Sequence, residues 1–234
     1  MVVLAVIGPK GSGKTATIET LIKGLKKMGL KVATIKHIPE REFTIDTPKK
    51  DTWRHAKAGA DIITAVSPNE IAIIRKGETT SMEIEQILAL IEDYADVILI
   101  EGFKGLVREK PQIPKIVMVR EPKDAEEAIA TYRPILAFVG QKPLEVRSRI
   151  PYVDLTGGEE ALMQVLGPKI KTMLEKEREK RKMVIRVSGN RIQLNPFMRS
   201  MLRNTIMAML SSLKGVDLKG EEKIVLCVIR GEDE

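Results

Sequence analysis

Short apolar runs alternate with stretches of helical periodicity along the first two thirds of the chain. The apolar runs are rich in Val, Ile and Leu and predict buried strands at residues 2–7, 31–36, 97–100, 115–119 and 135–139. Helical spacing of apolar positions is found at residues 15–28, 82–94 and 123–131. Because strands that are apolar at nearly every position are buried on both faces, this alternation predicts an α/β fold with a mostly parallel sheet flanked by helices.

Two kinds of segment interrupt this alternation. Residues 62–66 and 71–75 are joined by Ser67-Pro68-Asn69-Glu70, a turn sequence that predicts a hairpin inserted between strand–helix units. Residues 38–50 and 102–114 are charged and contain prolines, which is typical of surface loops.

The pattern changes again near residue 170. Strand-like runs at 183–187 and 191–194 flank a Ser188-Gly189-Asn190 turn, and Asn195 and Pro196 then open a helix that Gly215 is expected to end. A last strand is predicted at 222–229. The expected organisation is a main domain at 1–170, a charged connector or helix end at 171–182, and a small C-terminal α+β (ββαβ) module at 183–234.

The formal net charge of +7 changes this picture little, because more than half of it lies in residues 169–182. Mixed Lys, Arg and Glu in that segment are typical of a solvated helix. Aromatic residues make up only 3% of the chain, so a surface for stacking nucleic-acid bases is not expected. No stretch approaches the ~18 apolar residues of a membrane span. We therefore expect a cytoplasmic protein without a membrane or nucleic-acid partner.

Cysteine and histidine are scarce. The single Cys227 excludes an internal disulfide, and together with only His37 and His55 it disfavours a zinc cluster. Cys227 is expected in a core, and Trp53 and His55 at packing or rim positions of a short helix. Any bound metal is therefore expected on oxygen ligands.

The segment from Gly8 to Thr15, Gly-Pro-Lys-Gly-Ser-Gly-Lys-Thr, matches the P-loop pattern between a strand and a helix. Glycines allow successive backbone N–H groups to surround a β-phosphate, and the helix N-terminus adds partial positive charge. Lys14 is expected to contact the β- and γ-phosphates, and the Thr15 hydroxyl to bind Mg²⁺. The predicted nucleotide-binding residues are Gly8, Lys10, Gly11, Ser12, Gly13, Lys14, Thr15 and Ala16.

A P-loop site also needs an acidic residue at the end of a neighbouring strand. Glu101 follows the apolar run 97–100 and is the candidate, either as a metal partner or as the group that orients an attacking water. Loops at the carboxyl ends of parallel strands line ligand crevices, so His37, Asp46 and Asp51 are further candidates. For each of these three, taken alone, a solvated surface position is favoured over a place in the site.

Together these segments resemble the molybdopterin-guanine dinucleotide biosynthesis protein B (MobB) family over residues 2–155. The matching segments are the P-loop, Lys36-His37, Ile45-Asp46-Thr47-Pro48, Lys50-Asp51-Thr52, Ala58-Gly59-Ala60 and Ile100-Glu101-Gly102-Phe103-Lys104. The resemblance implies a GTP-binding homodimer with weak GTPase activity. Its implied partners are the guanylyltransferase that attaches GMP to molybdopterin, and molybdopterin or its guanine dinucleotide. It also implies that Lys14 and Glu101 serve catalysis, and that Thr15, Asp46 and Glu101 lie near Mg²⁺.

Three positions depart from the family pattern. Glu40 stands where members often carry a second histidine, Lys49 where a glycine commonly precedes the Lys-Asp pair, and Gln141 where an acidic residue often reads guanine. Slow Mg²⁺-dependent hydrolysis is expected because no arginine finger is evident. Two other functions stay open, namely a small-molecule kinase whose lid would use Arg147 and Arg149, and a non-catalytic switch whose loops order on the γ-phosphate.

Overall fold

The computed structural model describes residues 1–180, 185–187, 190–192 and 194–214. The chain divides into two compact units, Met1–Arg178 and Glu179–Glu234. Within the described residues no helix is both long and apolar enough to cross a membrane.

In the described part of the first unit, six parallel strands form one sheet in the order β2-β5-β1-β6-β7-β8. The strands are β1 (Val2–Ile7), β2 (Val32–Lys36), β5 (Val97–Glu101), β6 (Lys115–Met118), β7 (Ile135–Gly140) and β8 (Tyr152–Asp154). The predicted α/β fold with a parallel sheet is confirmed. Strand β8 was not predicted, since three residues give no periodic signal.

Helices cover both faces of this sheet. They are α1 (Lys14–Lys27), α3 (Ile84–Ala89), α4 (Lys104–Val107), α5 (Pro122–Thr131) and α6 (Gly158–Lys180). The short helix α2 (Asp51–Lys57) has no buried residue and contributes to neither core layer. The prediction of a helix over 82–94 was too long, because after Ala89 the chain tightens into turns in which Ile91 N–H donates to the Leu88 carbonyl. The prediction of a loop over 102–114 missed α4.

The core lies on the two faces of the sheet and is built from alternating strand positions. In β1, Leu4 and Val6 face the layer that contains α1 and α6, whereas Ala5 and Ile7 face the layer that contains α3 and α5. Leu174 of α6 belongs to the first layer. The boundary expected at residue 170 therefore falls inside a helix that continues to pack against the sheet.

A separate two-stranded antiparallel hairpin is formed by β3 (Ile62–Val66) and β4 (Ile71–Arg75), as predicted. Its register pairs Val66 with Ile71 and Thr64 with Ile73. One face carries four exposed apolar side chains, which we call the hairpin face: Ile62, Val66, Ile71 and Ile73.

The second unit contains β9 (Ile185–Val187) paired antiparallel with β10 (Asn190–Ile192), and the helix α7 (Pro196–Ser211). The Asn195 side chain caps α7 by accepting a hydrogen bond from Met198 N–H at 2.8 Å, as the sequence predicts. The predictions that concern Gly215, the strand at 222–229 and Cys227 lie outside the described residues.

Candidate nucleotide-binding site

The P-loop connects β1 to α1 at the carboxyl edge of the sheet, and glycine is required at two of its positions. Gly13 has a φ of 91°, and a Cβ there would lie 2.5 Å from Gln141 Nε2. At Gly8, a Cβ would lie 2.5 Å from the Cβ of Met118. The loop is therefore packed between the ends of β6 and β7, and side chains at these glycines would push it out of shape.

Inside the loop, polar side chains fold back onto the backbone. Lys14 Nζ donates to the carbonyl oxygens of Gly8 at 3.2 Å and Pro9 at 2.6 Å, and Ser12 Oγ donates to Pro9 at 2.8 Å. Burial lowers the pKa of Lys14, and the positive charge of Lys104 adds to this lowering. Glu101 opposes it and helps to keep the ammonium charged.

The predicted metal side of the site is assembled from three adjacent strands. Because β5 lies between β1 and β2, Glu101 is in register with Val6 on one side and with Lys36 on the other. Thr15 Oγ1 donates to Glu101 Oε1 at 3.1 Å, and Lys36 Nζ lies 3.4 Å from the same oxygen. The structure thus brings Lys14, Thr15 and Glu101 together, although they are up to 87 positions apart in sequence.

Asp46 lies in the loop between β2 and α2 and is 8% exposed. Its Oδ1 accepts a hydrogen bond from Thr52 Oγ1 at 2.7 Å, while its buried Oδ2 has no hydrogen-bond partner among the described residues. A buried carboxylate oxygen without a partner is rare and calls for an external donor or cation. Asp46 makes no hydrogen bond to Thr15 or Glu101 in this structure.

The donor set fits Mg²⁺ bound together with phosphate. The described residues contain no cluster of three or more His, Cys, Asp or Glu side chains arranged to hold a metal. Mg²⁺ is usually held by one or two carboxylates plus phosphate oxygens and water. Thr15, Glu101 and the unpartnered oxygen of Asp46 are ligands of this kind.

The other loop candidates lie at the periphery. Asp51 is exposed and lies 3.5 Å from Arg54 within α2. The imidazole of His37 packs on the ring of Phe103 with centroids 4.5 Å apart. Lys49 has a φ of 71°, a left-handed conformation that costs a side chain ~1–2 kcal/mol.

Sequence reasoning missed two lysines that act electrostatically on Lys14, namely Lys36 and Lys104. Lys36 ends β2 and Lys104 begins α4, directly after Gly102-Phe103. The position of Lys36 at the carboxyl end of a parallel strand was a usable signal, but the proximity of Lys104 depends on the left-handed turn at Phe103.

Arg147, which a kinase lid would need, lines a cleft of about 500 Å³ between α5 and the segment after β7. Its apolar walls include Ile129, Leu144 and Val146, and none of its lining residues belongs to the P-loop. The cleft therefore gives no support to a role of Arg147 at the phosphates.

Comparisons with known proteins agree with this geometry. The family model described as molybdopterin guanine dinucleotide synthesis protein B matches residues 3–141. A Methanocaldococcus jannaschii protein, provisionally named as a molybdopterin-guanine dinucleotide biosynthesis adapter protein, is 31% identical over 231 residues, covering 93% of this chain and 94% of the relative. The Haemophilus influenzae adapter protein of that name is 34% identical over 147 residues, covering 61% and 76%.

Solved structures share the fold. The crystal structure of Bacillus subtilis MobB matches with a TM-score of 0.57 at 24% identity, covering 71% of this chain and 97% of that one. A MobB homologue from Bacillus stearothermophilus matches with a TM-score of 0.55 at 24% identity, covering 74% and 99%. With a family model that spans more than half of the sequence and a relative that spans nearly all of it, the chain belongs to the MobB family.

Proposed function

We propose that this protein is a nucleotide-dependent adapter in the biosynthesis of molybdopterin guanine dinucleotide, which binds Mg²⁺–GTP at the P-loop and hydrolyses it slowly. The observation that carries the proposal is the contact of Thr15 with Glu101 beside Lys14, in a glycine loop between a strand and a helix. The names of the relatives support the biosynthetic role.

Each residue has a distinct part in nucleotide binding. In this proposal the backbone N–H groups of the P-loop bind the β-phosphate, and Lys14 exchanges the carbonyls of Gly8 and Pro9 for phosphate oxygens. Bound Mg²⁺ would neutralise charge on the β- and γ-phosphates, with Thr15, Glu101 and Asp46 as its holders. We propose that Glu101 also orients a water molecule toward the γ-phosphate.

Hydrolysis by the isolated protein is expected to be slow. An arginine finger contributes ~10³–10⁵ in rate to related reactions, and no arginine lies among the described contacts of the P-loop. A partner protein can supply this group. We propose that the partner is the guanylyltransferase that attaches GMP to molybdopterin, with molybdopterin or its guanine dinucleotide as the shared small molecule, in the cytoplasm.

We propose that the site binds GTP more tightly than ATP, by a modest factor in affinity. Gln141 packs against Gly13 at the edge of the loop. A side-chain amide has both a donor and an acceptor, so it can pair with either purine.

We further propose a homodimer formed through the hairpin face. An isolated two-stranded hairpin is marginally stable in water, and this one carries Val66, Ile71 and Ile73 on a single face, each residue more than 65% exposed. A second copy offers an identical apolar surface, which a two-fold axis can match to the first.

The nucleotide proposal is tested by replacing Lys14 with alanine and measuring Mg²⁺–GTP binding by calorimetry. Loss of this ammonium is expected to cost ~2–4 kcal/mol, a ~30- to 1000-fold loss of affinity, because charge-assisted phosphate contacts are the strong ones. Lys23→Ala, an exposed lysine of α1, is the matched control and should bind as the wild type does. Equal affinities of Lys14→Ala and wild type would contradict the proposal.

A further inference from the structure

Beside the P-loop, two further lysines lie close enough to Lys14 to act on it electrostatically. Lys36 ends β2 and pairs with Glu101 at 3.4 Å, and Glu101 in turn accepts from Thr15. Lys104 follows Glu101 by three residues and acts electrostatically on Lys14. With Lys14 included, the site has more positive than negative side chains on the strand ends, which is suited to a ligand with several negative charges.

The two lysines are held in place by a contact between their chain neighbours. The imidazole of His37, which follows Lys36, packs on the ring of Phe103, which precedes Lys104, with centroids 4.5 Å apart. The backbone N–H of His37 also donates to the carbonyl of Glu101 at 2.9 Å. These contacts fix the ends of β2 and β5 side by side, so that Lys36 and Lys104 leave the backbone at the same edge.

Phe103 itself has a left-handed φ of 54°, which is unfavourable for a side chain of this size. Strained backbone of this kind is concentrated at binding sites, where surrounding contacts hold it in place. Here the turn follows Gly102, where a Cβ would lie 3.1 Å from the Cβ of His37. Because of this tight turn, Lys104 stays at the same edge of the sheet as Glu101.

From this arrangement we propose that the ammonium groups of Lys36 and Lys104 contact the terminal phosphate of a bound nucleoside triphosphate and determine its preference over the diphosphate. The proposal rests on the proposed nucleotide binding and adds the residues that distinguish the two nucleotides. Lys14 and the P-loop backbone hold the phosphates that both nucleotides share. With Glu101 holding Mg²⁺, the Lys36 ammonium would be free to exchange its contact with that carboxylate for the γ-phosphate.

The experiment measures calorimetric affinities for Mg²⁺–GDP and for a non-hydrolysable Mg²⁺–GTP analogue. Lys36→Gln, Lys104→Gln and the double variant are compared with wild type and with Lys23→Gln, which removes an exposed positive charge from α1. Each single change is expected to lower affinity for the triphosphate by about 10- to 100-fold, the usual effect of one lost charge-assisted hydrogen bond. Affinity for the diphosphate is expected to change less than about 3-fold.

The outcomes separate this inference from the function on which it rests. If wild type binds neither nucleotide, the proposed function is wrong and the inference with it. Equal losses of affinity for both nucleotides overturn only the inference, because they indicate a general field of positive charge. Unchanged affinities also overturn only the inference, because they show that neither lysine contributes to binding. If the Lys36→Gln variant loses affinity for the triphosphate but regains it at saturating Mg²⁺, the inference is also wrong for Lys36. The lysine would then act only through Glu101. Recovery in Lys36→Arg, which keeps the charge, supports a direct contact.

Discussion

Lys115 is fully buried in β6, an unusual position for a group that is charged at neutral pH. Its ammonium donates to the carbonyls of Lys110 at 2.8 Å and Arg133 at 2.9 Å. These bonds tie the segment before β6 to the segment before β7. Burial lowers the pKa of Lys115 to about 8, because the charged form is poorly solvated there.

This pKa predicts a stability that rises at alkaline pH. The unfolded chain keeps the proton up to a pKa of ~10.4, so between the two values the unfolded state binds more protons than the folded state. The free energy of unfolding is expected to increase by ~1–2 kcal/mol from about pH 7.5 to about pH 9.5. Urea unfolding of wild type and Lys115→Met at both pH values tests this. The variant is less stable at every pH because two carbonyls lose their donor, but it should lack the rise, and a wild-type curve parallel to the variant's would contradict the assignment.

Individual site residues differ in how well sequence reveals them. Lys14 and Thr15 are recognised because the P-loop has a fixed local spacing, and Glu101 because an acid follows a buried strand. Lys36 and Lys104 were missed because their proximity comes from the order β2-β5-β1 and from the turn at Phe103. Neither the order of strands nor a left-handed phenylalanine leaves a pattern in the residues themselves.

Among elements, the strands β1, β5, β6 and β7 were predicted within one residue, because a strand buried on both faces is apolar at almost every position. The edge strand β2 was placed within one residue as well, but the expectation that it is buried was wrong, since Thr34 and Lys36 are exposed. The helix α3 was shorter than its periodicity suggests, since the chain must turn at Leu90 to enter β5. Short elements such as α4 and β8 were missed because they depend on packing and on neighbouring strands. Short elements were predicted only where a local turn sequence marks them, as it does for the three-residue strands β9 and β10.

The hairpin of β3 and β4 makes a prediction about assembly. In a two-fold dimer of the Ile73→Lys variant, each copy places a charge in the shared apolar contact. The binding free energy of one buried isoleucine is therefore lost twice. At ~1.5–3 kcal/mol for each buried isoleucine, the dimer dissociation constant should rise by at least ~100-fold. Sedimentation equilibrium or light scattering over a dilution series measures this.

Leu90→Lys is the control for that experiment, because Leu90 is also exposed and apolar but lies beside α3. It should leave the dimer intact. If both variants and the wild type have the same oligomeric state, the hairpin face does not hold two copies together.

The relatives and solved structures match different shares of the chain. The family model ends at residue 141, and MobB crystal structures cover 71–74% of this chain while being matched over 97–99% of their own length. The alignment with the Methanocaldococcus jannaschii relative, by contrast, covers 93% of this chain and 94% of the relative. That alignment therefore extends into residues 183–234. The second unit is thus not required for the MobB fold.

Removal of the second unit should therefore leave nucleotide binding intact. The site residues Lys14, Thr15, Asp46 and Glu101 all precede residue 180, and the core of the first unit extends along α6 as far as Leu174. A chain ending at residue 180 keeps that core, whereas one ending near residue 171 loses Leu174 and the last turns of α6. Burial of a leucine contributes ~1.5–3 kcal/mol, so the shorter chain should unfold at a lower urea concentration.

Calorimetry with Mg²⁺–GTP and urea unfolding of both truncated chains and of the full chain test this. A chain ending at residue 180 that is folded by circular dichroism but does not bind nucleotide would show that the second unit takes part in the site.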